Sequence, residues 1–166
     1  MPLPFIVSFV YFCTKYILEM AKEIERKFLV KDSSYRHMAS SSSHIEQGYL
    51  SRDPEATVRV RVRDDRAFLT VKGRNHGMVR DEWEYPIPVG DARIMLRRCA
   101  RGSILQKRRY LVPFEGFTWE VDEFGGDHAG LVVAEVELPS ADTVAPLPPF
   151  VGEEVTGDPH YYNSNL

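Results

Sequence analysis

From residue 22 onward the chain alternates between apolar and charged positions. Thr57-Val58-Arg59-Val60-Arg61-Val62-Arg63 is the clearest case, with three valines on one face of an extended segment and the arginines on the other. The same period of two, bounded by turn residues, predicts strands over 22–30, 44–51, 57–63, 67–72, 79–87, 104–112, 117–124 and 131–138. Asp64-Asp65 makes the turn of the central hairpin, and Arg52-Asp53-Pro54 breaks the second strand. Ser40 to Ser43 reads as a loop. Tyr35 to Met38 reads as a short helix behind an Asp32-Ser33-Ser34 cap. Asp91 to Ala100 is predicted helical, burying Ile94, Met95 and Cys99 and stopped by Gly102. Pro139 to Asp142 starts another short helix before an irregular proline-rich connection.

The charged positions are not a random wet surface. They come as like pairs two residues apart: Glu23 and Glu25, Arg59 and Arg61, Glu82 and Glu84, Lys107 and Arg109, Glu120 and Asp122, Glu135 and Glu137. On one strand a polar face is the ordinary solvent face of an antiparallel sheet. Repeated over eight strands as all-acid or all-basic pairs, it predicts something else. The apolar faces (Val58, Val60, Val62; Leu69, Val71; Ala134, Val136, Leu138) turn outward under a few short helices, and the charged faces line the inside of a closed antiparallel barrel. The fold class is therefore α+β, mainly antiparallel β. So many enclosed charges require a wet, ligand-binding interior. Six cations (Lys27, Arg59, Arg61, Lys72, Lys107, Arg109) suit phosphate oxygens, and eight carboxylates suit Mg²⁺ or Mn²⁺, which itself bridges phosphates.

Composition narrows the choice further. The net charge of -3 hides an asymmetry: residues 20–109 hold 20 Lys/Arg and 12 Asp/Glu, whereas 110–166 hold 11 Asp/Glu and no Lys or Arg. Basic residues interleaved with acids on the same strands fit an enclosed mixed-charge site better than a nucleic-acid backbone. Two cysteines make no disulfide scaffold and no zinc spacing is present, so a reducing, cytoplasmic setting is expected. The chain suffices for one domain, placed at 20–166. Met1 to Glu19 is apolar and aromatic, without a signal-peptide pattern and too short and interrupted for a membrane span. It reads as an upstream translation start outside the fold, in preference to a membrane anchor.

Glu23-Ile24-Glu25-Arg26-Lys27 resembles the ExExK signature of the CYTH superfamily, the triphosphate tunnel metalloenzymes. The likeness continues in order through Gln47-Gly48-Tyr49-Leu50, Arg59/Arg61, Thr70-Val71-Lys72, Arg80-Asp81-Glu82-Trp83-Glu84, Lys107-Arg108-Arg109-Tyr110, Glu120-Val121-Asp122, Ala134-Glu135-Val136-Glu137 and Glu153-Glu154-Val155-Thr156, and is strongest to the short single-domain bacterial members. The resemblance implies a closed eight-stranded tunnel that hydrolyses a linear triphosphate, most simply inorganic tripolyphosphate, with Mg²⁺ or Mn²⁺. It implies that Glu23, Glu25, Asp122, Glu135 and Glu137 hold metal and that Lys27, Arg59, Arg61, Lys72, Lys107 and Arg109 hold phosphates. Glu82 and Glu84 would serve a second metal or its water, and Lys107, Tyr49 and Glu25 would carry catalysis. Within the family, thiamine triphosphate hydrolysis and adenylate cyclisation are the alternatives; outside it, a non-catalytic polyphosphate- or nucleotide-binding module. The implied partner is a small-molecule triphosphate, with no nucleic acid and no membrane, the chain acting singly or as a homodimer. Family members commonly bring a basic residue from the C-terminal segment over the phosphates; here His160 stands near that place.

Overall fold

The computed structural model describes residues 22–166; the 1–19 extension and the Met20 boundary lie outside the described residues. Its elements are β1 (Lys22–Val30), α1 (Tyr35–Met38), β2 (Ser41–Asp53), β3 (Ala56–Arg63), β4 (Arg66–Lys72), β5 (Val79–Ile87), α2 (Val89–Cys99), β6 (Arg101–Phe114), β7 (Phe117–Phe124), β8 (Val132–Glu137) and β9 (Val151–Glu154). Neighbours run β5-β4-β3-β2-β6-β7-β8-β1-β9. A further antiparallel pairing of β1 with β5, from Lys22↔Asp81 to Ile24↔Val79, closes β1 to β8 into an eight-stranded barrel. The short β9 continues the same edge of β1, at Phe28↔Glu154 and Val30↔Val151.

Strand parity decides what faces the lumen. The outer faces carry the core: Trp119, Val121, Ala134 and Val136 pack with Phe28, Tyr35 and Phe150, and Val60, Val62 and Ala67 pack under Ala92 and Leu96 of α2. Glu23, Glu25 and Lys27, or Arg59 and Arg61, fall on the opposite faces and point inward. The same inward parity carries Leu105, Phe124 and Val133, which cluster with Leu131 and Leu166. One end of the barrel interior is thus filled with apolar side chains.

Four local expectations are corrected. Ser41 to Ser43 is strand, since it pairs with Leu111, Tyr110 and Arg109 of the long β6; cross-strand pairing overrides weak local propensity. In α2 the buried stripe is Ala92 and Leu96, with Val89 and Met95 beside it, while Ile94 is 45% exposed and Cys99 is exposed. Positions 89, 92 and 96 share the face that small Ala92 lets approach the sheet. The helix ends at an extended Ala100, and Gly102 belongs to β6, where its positive φ of 79° and missing Cβ accommodate the Arg52 guanidinium. Pro139 to Asp142 is bends and turns without a helix, on the way to placing Ala145 and Phe150 against the core.

Trp119 anchors the larger core cluster. It is fully buried, 5.5 Å from the Phe28 ring centroid, and its indole Nε1 has no acceptor among the described residues. Trp119→Ala is expected to lower stability by about 3–5 kcal/mol in urea unfolding. Trp119→Phe keeps an aromatic ring in the core and, besides part of the indole volume, loses only an unmet donor, so it should cost clearly less.

Candidate active site

The lumen is a cavity of about 910 Å³, lined by acidic and basic side chains from most of the barrel strands together with uncharged residues such as Tyr49, Met78, Phe117 and Tyr162. Two networks cover it. On the β1/β3/β4/β5 side, Lys72 pairs with Glu23 and, at 2.9 Å, with Glu82; Arg59 lies 3.8 Å from Glu82 and 3.4 Å from Glu84; Arg61 holds Glu84 at 2.8 Å. On the β1/β6/β7/β8 side, Lys27 meets Glu135 at 2.8 Å, and Arg109 reaches Glu135 at 3.2 Å, Asp122 at 2.6 Å, and Glu120. Lys107 pairs with Asp122 at 2.5 Å. These contacts follow from register: Arg109 faces Asp122 across β6/β7, Lys27 faces Glu135 across β1/β8, and Lys72 faces Glu82 across β4/β5.

Two carboxylates stand outside this matching. Glu25 and Glu137 are directly opposite one another across β1 and β8, and neither joins an ion pair among the described residues. Like charges in that position repel. Burial, and then the charges of Glu135 and Glu23, push Glu25 up to about 7. Burial, Glu23 and Glu120 likewise raise Glu137. Asp122 behaves oppositely: burial raises it, but Arg109 and Lys107 outweigh that and hold it below the usual carboxylate range. Burial, with Arg109 alongside, lowers Lys107 to about 8. Arg61 is brought down to about 10 by burial and by Arg59.

Among the described residues, no three Asp, Glu, His or Cys side chains converge as a ready metal centre. The donor chemistry fits a divalent cation all the same: an oxygen-only set, with Glu25 and Glu137 facing each other unneutralised and Glu23 and Glu135 near enough to raise Glu25.

Most residues expected at the site do line the cavity: Glu23, Glu25, Lys27, Tyr49, Arg59, Arg61, Lys72, Glu82, Glu84, Arg109, Glu135 and Glu137. Lys107 and Asp122 do not. They sit behind Arg109, the lysine's ammonium 5.4 Å from the Phe124 ring centroid, next to the apolar plug. Tyr49 faces the lumen with Arg52 stacked over its ring at 5.5 Å. No hydrogen bond links it to Lys107 among the described residues. His160 is turned away: its ring is 89% exposed, bonded to Asp158 at 2.8 Å, and absent from the lining. The lining segment is instead Tyr162, Asn163 and Ser164, held where Asn75 Nδ2 donates to the Tyr162 hydroxyl at 2.9 Å and Arg52 donates to the Ser164 carbonyl at 2.7 Å.

Sequence reasoning missed Arg63 and Arg80, which line the cavity two residues beyond the expected pairs; extending the period of two by one step finds both. It also passed over Thr70, buried between Arg59 and Glu84.

A closed antiparallel barrel with a lumen of matched ions defines a charged-tunnel protein, a shape suited to enclosing a small polyanion. The CYTH domain matches residues 21–162, and the chain belongs to that family. It is 50% identical over 147 residues to an inorganic triphosphatase of Acetivibrio thermocellus, covering 89% of this chain and 94% of the relative. It is 34% identical over 148 residues to an inorganic triphosphatase of Nitrosomonas europaea, covering 87% and 95%. Among solved structures, that of an inorganic triphosphatase aligns with a TM-score of 0.59 at 32% identity, over 86% of this chain and 92% of that one.

The raised Glu25 gives a signed pH dependence. Its folded value near 7 lies above the ordinary 4.5, so the stability its neutral form gives is present in acid and lost as pH rises through about 7. Metal binding needs the ionised form and should strengthen over the same interval. Glu25→Gln is therefore expected to flatten that part of the stability profile, measured by thermal melts in chelator, and to remove the matching rise in Mg²⁺ affinity.

Proposed function

We propose that the chain is a divalent-metal-dependent inorganic triphosphatase that cleaves linear tripolyphosphate into pyrophosphate and phosphate, with Mg²⁺ or Mn²⁺ as the ion. The observation that carries this reading lies on the lumen wall. Arg59 and Arg61 are buried, and each keeps a buried Nε–H without an acceptor among the described residues. Unmet donors on fixed, charged groups favour an acceptor-rich anion, and phosphate oxygens are the fitting partner. The two relatives named inorganic triphosphatases point to the same substrate.

Phosphoryl transfer asks little covalent chemistry of a protein, mainly alignment and charge neutralisation. Lys27, Arg59, Arg61, Lys72 and Arg109 come from four different strands, so they surround a phosphate chain and hold it along the lumen. On binding, these cations exchange carboxylate oxygens for phosphate oxygens. That exchange releases Glu23, Glu82, Glu84 and Glu135 from their present pairs. Glu23, Glu25, Glu135 and Glu137, with Asp122 behind them, would hold a metal, and Glu82 and Glu84 would support a second. A divalent cation held there would supply positive charge to the phosphate chain and would favour ionisation of a nearby water. Lys107, held down to about 8, can keep or move a proton at Nζ while orienting Asp122. Tyr49, which lines the lumen, would donate its hydroxyl to the substrate.

No helix among the described residues is long and apolar enough to cross a membrane. The two cysteines fit a reducing, cytoplasmic setting, and the enclosed mixed-charge lumen fits a small molecule better than a nucleic acid.

Phosphate release from tripolyphosphate, thiamine triphosphate and ATP, each with Mg²⁺ and Mn²⁺, tests the reading. Tripolyphosphate should turn over fastest, and Glu25→Gln should lower its turnover by about 100-fold or more while leaving binding measurable. Preferential cleavage of ATP, or undiminished release by Glu25→Gln, would contradict it.

A further inference from the structure

Between the arginines of β3 and the carboxylates of β5, β4 turns Phe68, Thr70 and Lys72 toward the lumen. Thr70 is the odd member, small and uncharged in the middle of an ionic wall. It stands directly opposite Arg59 on one side and Glu84 on the other, and it is fully buried. Its hydroxyl accepts from Arg59 Nη2 at 3.1 Å and donates to Glu84 Oε2 at 2.8 Å. Arg61 grips the same carboxylate through bonds of 2.8 and 3.0 Å, whereas the bond from Arg59 Nη2 to it is long, at 3.4 Å. The Arg59 Nε–H meanwhile has no acceptor among the described residues.

We propose that Thr70 is a positioning residue of the triphosphate site, resting on the triphosphatase reading: its hydroxyl stands between Arg59 and Glu84 and keeps the Arg59 guanidinium available to a phosphate oxygen. Only a group that both donates and accepts fills this place. Valine has the same shape and does neither. With the hydroxyl gone, a buried guanidinium and a partly buried carboxylate each lose a partner and close on one another. Incoming phosphate then has to break a tighter Arg59–Glu84 pair. Serine preserves both bonds.

The test compares Thr70→Val with Thr70→Ser, reading tripolyphosphate affinity by calorimetry and KM and kcat by phosphate release. Thr70→Val should raise Kd and KM about tenfold with kcat within about threefold, as expected for one hydrogen bond to a charged group. Thr70→Ser should stay within about twofold of the parent protein in both. In a Glu84→Gln background, where the carboxylate that Thr70 holds off Arg59 is gone and only Glu82, 3.8 Å away, remains beside it, Thr70→Val should add less than about twofold. Thr70→Ala supplies the same comparison should Thr70→Val fail to fold. Unchanged affinity in the hydroxyl-less variants, equal losses for valine and serine, or full additivity with Glu84→Gln would overturn the proposal. A purely structural role would shift the melting temperature and leave KM in place. Tight tripolyphosphate binding by the parent protein without phosphate release would sink the triphosphatase reading alone, since the calorimetric comparison still decides the role of Thr70.

Discussion

Charge enclosed by a closed barrel must be matched, and this requirement shapes the rest of the protein. An ionised side chain taken from water without a partner costs several kcal/mol or more, and a dozen of them would exceed the whole stability of a domain this size. The solution found here sets particular basic positions beside acidic ones: those of β6 beside β7, Lys72 of β4 beside β5, and Lys27 of β1 beside β8. Lys27 faces Glu135, Arg109 faces Asp122 and Lys72 faces Glu82 because their strands are neighbours in register. Strand order thus sets part of the charge pairing, and longer side chains such as Arg61, which reaches across β4 to Glu84, complete it.

Placing ions inside forces the apolar faces outward, and these then need cover. The α2 helix supplies it over β3 and β4, and α1 with the 145–151 segment supplies it over β6 to β8. What remains within is a polar lumen closed at one end by Leu105, Phe124 and Val133. That plug matters for chemistry. It leaves Lys107 in a dry setting beside Phe124, where burial lowers its pKa, while Glu25 on the lumen wall is raised by burial and by neighbouring carboxylates. One interior therefore offers an acid and a base that both titrate near neutrality.

Much of this was legible beforehand because β-structure has an integer period. Val58, Val60 and Val62 against Arg59 and Arg61 could only separate onto two faces, and β5 and β7 fell where the alternation put them. Where the period was not two, the reading weakened. In α2 the apolar residues surround the helix, and only contact with the sheet selects Ala92 and Leu96 over Ile94. Ser41 to Ser43 carries no pattern, so its strand state comes wholly from β6. Lys107 and Asp122 share the parity of the lining residues yet lie at the depth of the plug; parity gives the face, and depth along the axis comes only from the assembled barrel. His160 was placed by position in the chain, but the turn after Asp158 directs its ring to solvent.

The most direct test of the account is a crystal structure of the protein with tripolyphosphate and Mn²⁺. The account predicts a phosphate chain inside the barrel, its oxygens bonded to Arg59, Arg61, Arg109 and Lys27, with Mn²⁺ density beside Glu25 and Glu137. Phosphate bound instead to the outer arginines of α2, with every interior ion pair intact, would contradict it.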